Sequence, residues 1–217
     1  MIPARIICLL GGYCIGLLQT AYIYGKMHGI DIREHGSGNA GTTNALRVLG
    51  KKAGLIVFLG DFLKGFLTCL VIRLVVQNIY PDELYLFVAY GALGVVLGHN
   101  FPFYMNFKGG KGIAATGGAI LGFLDPIMII ACILAFFVVV PICRYVSVGS
   151  ILLVLTFAVT YTIRALTGCY MFKLDDPTSK EAMIESIIIV CFLAGMAIYR
   201  HKANIVRLIH HEENKLF

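Results

Sequence analysis

The chain has 217 residues, 59% of them hydrophobic and only 14% charged, with 18 Lys+Arg against 12 Asp+Glu for a net charge of +6. A water-facing globular surface carries roughly 25–35% charged side chains, so this composition excludes a soluble domain and leaves no solvated basic face for nucleic acid. The mean hydropathy of +0.84 points instead to a membrane.

In chain order, charge-free stretches at 6–25, 84–107, 126–143 and 145–163 approach the roughly 20 residues that cross a bilayer core. Three less regular segments complete the set: 53–78, interrupted by Asp61, Lys64 and Arg73, the short 112–124, and 183–199. The fold class this predicts is an all-α membrane protein, a seven-transmembrane-helix bundle over one integral-membrane domain, 1–217. Its spans lie at about 4–25, 53–78, 84–103, 112–124, 126–143, 147–166 and 183–199. A soluble core of buried helices is the weaker reading, because too little polar chain is left to cover it. Arg5 before an apolar run imitates a secretory signal, but without a small-residue cleavage site the run is expected to stay as the first helix. The seven cysteines (Cys8, Cys14, Cys69, Cys132, Cys143, Cys169, Cys191) are odd in number, form no CxxC pair and sit in or beside apolar runs. They are expected to be packing residues, not disulfides or metal ligands.

Seven spans alternate the loops between two sides. One side holds 26–52, 104–111, 144–147 and the tail from 200, with twelve basic residues against Asp31, Glu34, Glu212 and Glu213. The other holds Arg5, Lys173 and Lys180 against seven acids. Basic residues in short loops mark the cytoplasmic side, so the N-terminus is expected outside and the C-terminus inside. All six histidines (His28, His35, His99, His201, His210, His211) fall at or near that cytoplasmic face.

Three cytoplasmic segments look built for phosphate. The first, Gly36-Ser37-Gly38-Asn39-Ala40-Gly41-Thr42-Thr43-Asn44-Ala45-Leu46-Arg47, contains a GxGxxG, but a membrane helix and not a β-strand precedes it, so a dinucleotide fold is rejected. Its glycines still let backbone N–H groups approach an anion, and Ser, Thr and Asn add donors. The second, from Gly98-His99-Asn100-Phe101-Pro102 through Lys108-Gly109-Gly110-Lys111-Gly112, opens a helix with glycines and two lysines, the ingredients of an oxyanion site. The third, Arg144-Tyr145-Val146-Ser147-Val148-Gly149-Ser150, places Ser147 or Ser150 where either serves as an N-cap or as a further donor. Within the second span, Asp61 and Lys64 at i and i+3 are expected to pair as structural support.

At these residues the chain resembles the bacterial acyl-phosphate-dependent glycerol-3-phosphate acyltransferases, an integral-membrane family. The matching pieces are SGNAGTTNALR (Ser37 to Arg47), DFLKG (Asp61 to Gly65), GHNFPFYMNFKGGKG (Gly98 to Gly112), RYVSVGS (Arg144 to Ser150) and RHKANIVRL (Arg200 to Leu208), in family order over nearly the whole chain. The resemblance implies transfer of a fatty acyl group from acyl phosphate to the first hydroxyl of glycerol 3-phosphate. The products are lysophosphatidate and phosphate, and the step is the first of phospholipid synthesis. It implies a multi-pass protein of the bacterial cytoplasmic (inner) membrane whose active site faces the cytoplasm. Its partners are acyl phosphate, glycerol 3-phosphate and membrane lipid, with no cofactor, no metal and no nucleic acid. Ser37, Arg47, Lys108, Lys111 and His201 are the implied catalytic set, with Lys108 or Lys111 and Ser147 or Ser150 both left open as the critical member. Asn39, Gly41, Thr43, Asn44, His99, Asn100, Gly109, Gly110, Ser147, Ser150 and Asn204 are the implied substrate-binding set. Thr42 and the long outer segment 167–182 depart from the family pattern, and His210 and His211 match no family motif.

The chemistry suits these residues. Arg47 clamps a phosphate through two parallel hydrogen bonds, and Lys108 and Lys111 with glycine N–H groups hold the acyl phosphate and steady the departing phosphate. No carboxylate lies within the glycine-rich motifs and no histidine begins an HxxxxD dyad, so the substrate's own phosphate is the expected base. Covalent catalysis by Ser37 is the competing mechanism, and a membrane transporter for a phosphorylated metabolite is the competing function.

Overall fold

The computed structural model describes residues 2–170, 172–173 and 175–216, which form helices joined by turns and irregular segments, with no strand among the described residues. Among the described residues, six helical segments are long and apolar enough to cross a membrane: Ile2–Met27, Thr42–Val76, Pro81–Met105, Pro126–Cys143, Val146–Leu166 and Pro177–Arg200. Ile113–Gly122, at the expected 112–124, is apolar but has ten residues. At 1.5 Å per residue it reaches roughly 15 Å, half of a bilayer core. Large apolar side chains such as Ile7, Leu55, Val71, Leu134, Val159 and Phe192 face outward along these helices, which suits lipid and not water. The chain forms two compact units, Met1–Ile79 with Phe87–Phe123, and Tyr80–Leu86 with Leu124–Phe217.

In the first unit, α1 (Ile2–Gly16) and α2 (Thr20–Met27) are one span broken at Leu17–Gln19. α1 runs parallel to α4 (Leu84–Asn100) with backbones almost touching. A Cβ at Gly12 would stand 2.6 Å from Gly91 O, and one at Gly16 would overlap Val95 O. The same holds in reverse, where a Cβ at Gly94 would overlap Leu9 O and one at Gly98 would overlap Tyr13 O. Lipid tails are as apolar as the side chains, so close dispersion contact between small residues replaces the hydrophobic effect as the force joining helices.

α3 (Thr42–Val76) begins eleven residues before the expected span at 53 and is two helices joined at Gly50. There φ is +85° and ψ −177°, a conformation that only glycine adopts readily. The long second part packs in parallel against α5 (Ile113–Gly122): a Cβ at Gly65 would overlap Ala115 O, and one at Gly118 would overlap Phe62 O. Arg73 Nη1 donates to Phe123 O at 3.0 Å and so holds the far end of α5 near the last turn of α3.

The second unit contains α6 (Pro126–Phe137), α7 (Val139–Cys143), α8 (Val146–Leu166), α9 (Pro177–Arg200) and α10 (Lys202–Ile209). Asp125 and Asp176 accept from the first free N–H groups of α6 and α9, each followed by proline at the first helical position. Asp125 also pairs with Arg164 in the last turn of α8. At the same end, Tyr85 stacks on Tyr170 with centroids 3.9 Å apart, and Lys173 Nζ meets Asp82 Oδ2 at 2.6 Å.

Gly98→Ala pushes α1 and α4 apart and is expected to lower stability by about 1–3 kcal/mol. Gly195→Ala, with nothing within 4 Å of its added Cβ, is expected to be neutral or to gain up to about 1 kcal/mol from helix propensity. Thermal unfolding of the two variants in one detergent compares them; equal melting temperatures would contradict the close α1–α4 approach.

Candidate active site

Loop 28–41 of the first unit is built around two polar side chains. Asp31 accepts from Arg33 N and Arg33 Nε at 3.0 Å each and from Nη2 at 2.7 Å. The Arg33 guanidinium therefore holds the Asp31 carboxyl down at about 2, and its own pKa is raised in return. Arg33 Nη1 also donates to Met105 O at 3.3 Å, joining this loop to the second glycine-rich loop. Asn44, buried on α3, accepts from Ser37 N at 2.8 Å and donates to Ile32 O and His35 O at 3.0 Å each. Its amide is thus engaged in shaping the loop. Gly36, at φ +60°, lies so close to Asn44 Oδ1 that a Cβ would overlap it.

The loop ends one residue before Thr42, so Thr43, Asn44 and Arg47 lie on the first turns of α3 and not in an irregular segment. The cap residue, Gly41, supplies no side-chain hydrogen bond, and the first N–H groups of α3 are left without a side-chain acceptor. Ser37 and Arg47 are exposed, and Asn39 is half-buried.

The second loop folds back onto the end of α4 through Gly109 N to Asn100 O at 3.1 Å and Gly110 N to His99 O at 3.2 Å. Gly110 sits where a Cβ would overlap His99 Nε2 and stand 2.5 Å from Ala40 O, so only glycine lets the two loops approach there. Gly112, at φ +81°, caps α5, again with no side-chain hydrogen bond. Asn100 is fully buried beside it, and neither its Oδ1 nor its Nδ2 has a hydrogen-bond partner; the buried Thr42 Oγ1 has none either. Lys108 is exposed and Lys111 half-buried. The first unit thus brings together two helix N-termini without side-chain caps, unsatisfied buried donors, and Arg47 and Lys108 on its surface.

Beneath the second loop lies a cluster that spacing alone disclosed only in part. Asp61 and Lys64 pair at 2.9 Å, as their i, i+3 spacing predicts, and both are buried. Lys64 Nζ also donates to Leu18 O at 2.5 Å in the break between α1 and α2, with Gly16 O at 3.4 Å, and stands 2.9 Å from His99 Nδ1. Thr20 Oγ1 donates to Asp61 Oδ1 at 3.1 Å. Gln19 Nε2 reaches Gly98 O and His99 O at 3.3 and 3.0 Å.

The second unit gathers the third motif and the tail on one carboxylate. Glu213 accepts from Ser147 Oγ at 3.2 Å and Asn204 Nδ2 at 2.6 Å through Oε1, and from Arg207 Nε at 2.8 Å through Oε2. Ser150 Oγ instead donates to Val146 O at 2.7 Å within α8, and neither serine caps that helix, whose cap residue is Tyr145. His201, buried at the end of α9, has Nδ1 2.8 Å from Ala197 O. A carbonyl only accepts, so Nδ1 carries the proton and Nε2 of the neutral ring keeps its lone pair. Sequence reasoning missed Glu213 and Arg207; the one available signal was an acidic pair, Glu212-Glu213, in an otherwise basic tail.

Two consequences are measurable. Glu213→Ala removes the shared acceptor of Ser147, Asn204 and Arg207 and is expected to cost about 2–4 kcal/mol, seen as a lowered melting temperature, with Glu213→Gln losing less. Asp31 has a folded pKa below its ordinary 3.8. Its stabilisation is therefore fully present above that value and is lost as pH falls toward about 2. The melting temperature of wild type should exceed that of Asp31→Asn by a constant amount above pH 4, and the gap should close on further acidification.

Comparison with known proteins identifies the family. The chain matches the glycerol-3-phosphate acyltransferase family over residues 6–211. It is 38% identical over 215 residues to the glycerol-3-phosphate acyltransferase of Clostridioides difficile (strain 630), covering 97% of this chain and 95% of that protein. It superposes on crystal structures of PlsY (YgiH), an integral membrane glycerol 3-phosphate acyltransferase, at 28% identity. The TM-score is 0.80 for the glycerol 3-phosphate form, covering 98% of this chain and 96% of that one. For the lysophosphatidic acid form it is 0.77, covering 98% and 95%. A multi-pass helical chain carrying these motifs in this order belongs to the glycerol-3-phosphate acyltransferase family.

Proposed function

We propose that the protein transfers a fatty acyl group from acyl phosphate to the sn-1 hydroxyl of glycerol 3-phosphate, releasing lysophosphatidate and phosphate. It does so from the bacterial cytoplasmic (inner) membrane. One observation carries the reading: two helix N-termini without side-chain caps, those of α3 and α5, open at joined loops beside Arg47 and Lys108. Such ends attract oxyanions through free N–H groups and the helix dipole. Crystal structures of a relative in a glycerol 3-phosphate form and a lysophosphatidic acid form supply the acceptor and the product. Membership of an acyltransferase family favours this over transport of a phosphorylated metabolite.

In this reading Lys108 or Lys111, with the N–H groups of Gly109 and Gly110, holds the acyl phosphate and steadies the leaving phosphate, while Arg47 clamps a phosphate bidentately. Ser37, Asn39, Gly41 and Thr43 line the same loop. Asn44 contributes by holding that loop in shape, and Asn100 supplies a buried amide to the α5 end. Ser147 or Ser150, Asn204 and His201 receive glycerol 3-phosphate. The acceptor's own phosphate takes the hydroxyl proton, the oxygen attacks the acyl carbonyl, and the acyl–phosphate bond breaks.

The chain is one membrane domain with seven crossings, the N-terminus outside and the C-terminus in the cytoplasm. α5 is completed as a crossing by the glycines that precede it, an irregular stretch tolerated at depth because Gly109, Gly110 and Gly112 are buried in protein. The inner side then carries the excess of basic residues.

Purified protein given glycerol 3-phosphate with acyl phosphate, acyl-carrier-protein thioester or acyl-CoA should form lysophosphatidate from acyl phosphate. Arg47→Ala should lose about 100-fold or more in kcat/KM. His201→Gln should raise KM for glycerol 3-phosphate and leave the acidic limb of the pH–rate profile in place. Loss of that limb with affinity intact would make His201 the base, and no turnover with any donor, together with uptake into proteoliposomes, would overturn the enzyme.

A further inference from the structure

Resting on the assignment of the glycine–lysine loop to acyl phosphate, we infer that the buried Asp61–Lys64 pair positions this loop by fixing the tautomer of His99. An ammonium has three protons and no acceptor. The three close partners of Lys64 Nζ are Leu18 O at 2.5 Å, Asp61 Oδ1 at 2.9 Å and His99 Nδ1 at 2.9 Å. Each partner is an acceptor in this arrangement, so His99 Nδ1 presents its lone pair to Lys64 and the ring proton resides on Nε2.

The Asp61 carboxylate is 3.6 Å from His99 Nδ1, beyond hydrogen-bond reach, and does not compete for that nitrogen. It offsets the charge of Lys64 instead, with Thr20 Oγ1 donating to the same oxygen. His99 is buried, and its Nε2 edge faces Gly110, closely enough that a Cβ there would overlap it. Backbone hydrogen bonds from Gly109 and Gly110 to Asn100 O and His99 O fold the loop over this ring. The tautomer therefore decides whether the loop rests against an N–H or against a lone pair, and a lone pair would turn a negative edge toward a site meant for anions.

Asp61 and Lys64 touch neither substrate in this scheme. They are positioning residues that act through His99, and their effect should appear on the substrate held by the glycine–lysine loop.

The test uses two replacements at His99 and one at the pair. His99→Gln places an amide N–H near the former Nε2, whereas His99→Asn reaches only to the former Nδ1. Asp61→Asn with Lys64→Met removes both buried charges together, avoiding a lone uncompensated ion. On the wild-type background the paired substitution should raise KM for acyl phosphate about 10-fold or more and leave KM for glycerol 3-phosphate unchanged. His99→Gln should retain activity within about 10-fold, and His99→Asn should lose about 100-fold. In the His99→Gln background, where no ring tautomer exists, the paired substitution should have little further effect.

Equal losses for Gln and Asn, or full additivity of the paired substitution with His99→Gln, would overturn the inference. If the paired variant fails to fold, the Gln against Asn comparison decides alone. Failure of wild type to use acyl phosphate would overturn the donor assignment only. The same cycle is then read with inorganic phosphate as the probe, through the thermal shift it induces.

Discussion

A single buried ammonium joins most of the parts that matter in the first unit. Where α1 stops, its last carbonyls lose their helical partners, and in a bilayer no water replaces them. Lys64 reaches from α3 into that break and takes Leu18 O, with Gly16 O nearby, while holding Asp61 and His99. A break in a membrane helix, a charged pair inside a span and a buried histidine would each be costly alone. Together they satisfy one another, and the segment His99–Gly112 rests on the result.

The packing around this cluster follows from the absence of water. Glycines at 12, 16, 94 and 98 bring α1 and α4 into backbone contact, and those at 65 and 118 do the same for α3 and α5. Close contact of this kind fixes the axial position of each helix, since a shift along the axis would drive a larger neighbour into a carbonyl. The helix starts of α3 and α5 are then left without side-chain caps at one end of the unit. In the second unit the corresponding work is done by side chains, with Glu213 gathering Ser147, Asn204 and Arg207.

The sequence was informative where the physics is local. The all-helical membrane character, the Asp61–Lys64 pairing and the apolar but short segment at 112–124 were legible, because length, hydropathy and i, i+3 spacing decide them. The break at Leu17–Gln19 was not, since Gln19 interrupts no apolar pattern and its role depends on carbonyls 79 and 80 positions away. α3 starts at Thr42, ahead of the expected span at 53, because Gly50 links two helices through a backbone conformation that hydropathy and spacing do not record. The resemblance placed His99 in the substrate-binding set; its burial under Gly110 depends on how the chain folds back, which no spacing records. Glu213 was invisible for the same reason: a carboxylate gains meaning only from the donors that tertiary structure brings to it.

The ten residues of α5 have a consequence for how the protein is made. A segment that short gains too little from partitioning to enter a bilayer by itself, and the glycine loop before it carries peptide groups that lipid would reject. Both can settle only against an α3 already in place, with Gly65 receiving Ala115 and Arg73 donating to Phe123 O. During synthesis the lysine-bearing loop therefore takes its folded-back form only after the neighbouring helices have assembled, so a truncated or half-inserted chain leaves that loop unorganised.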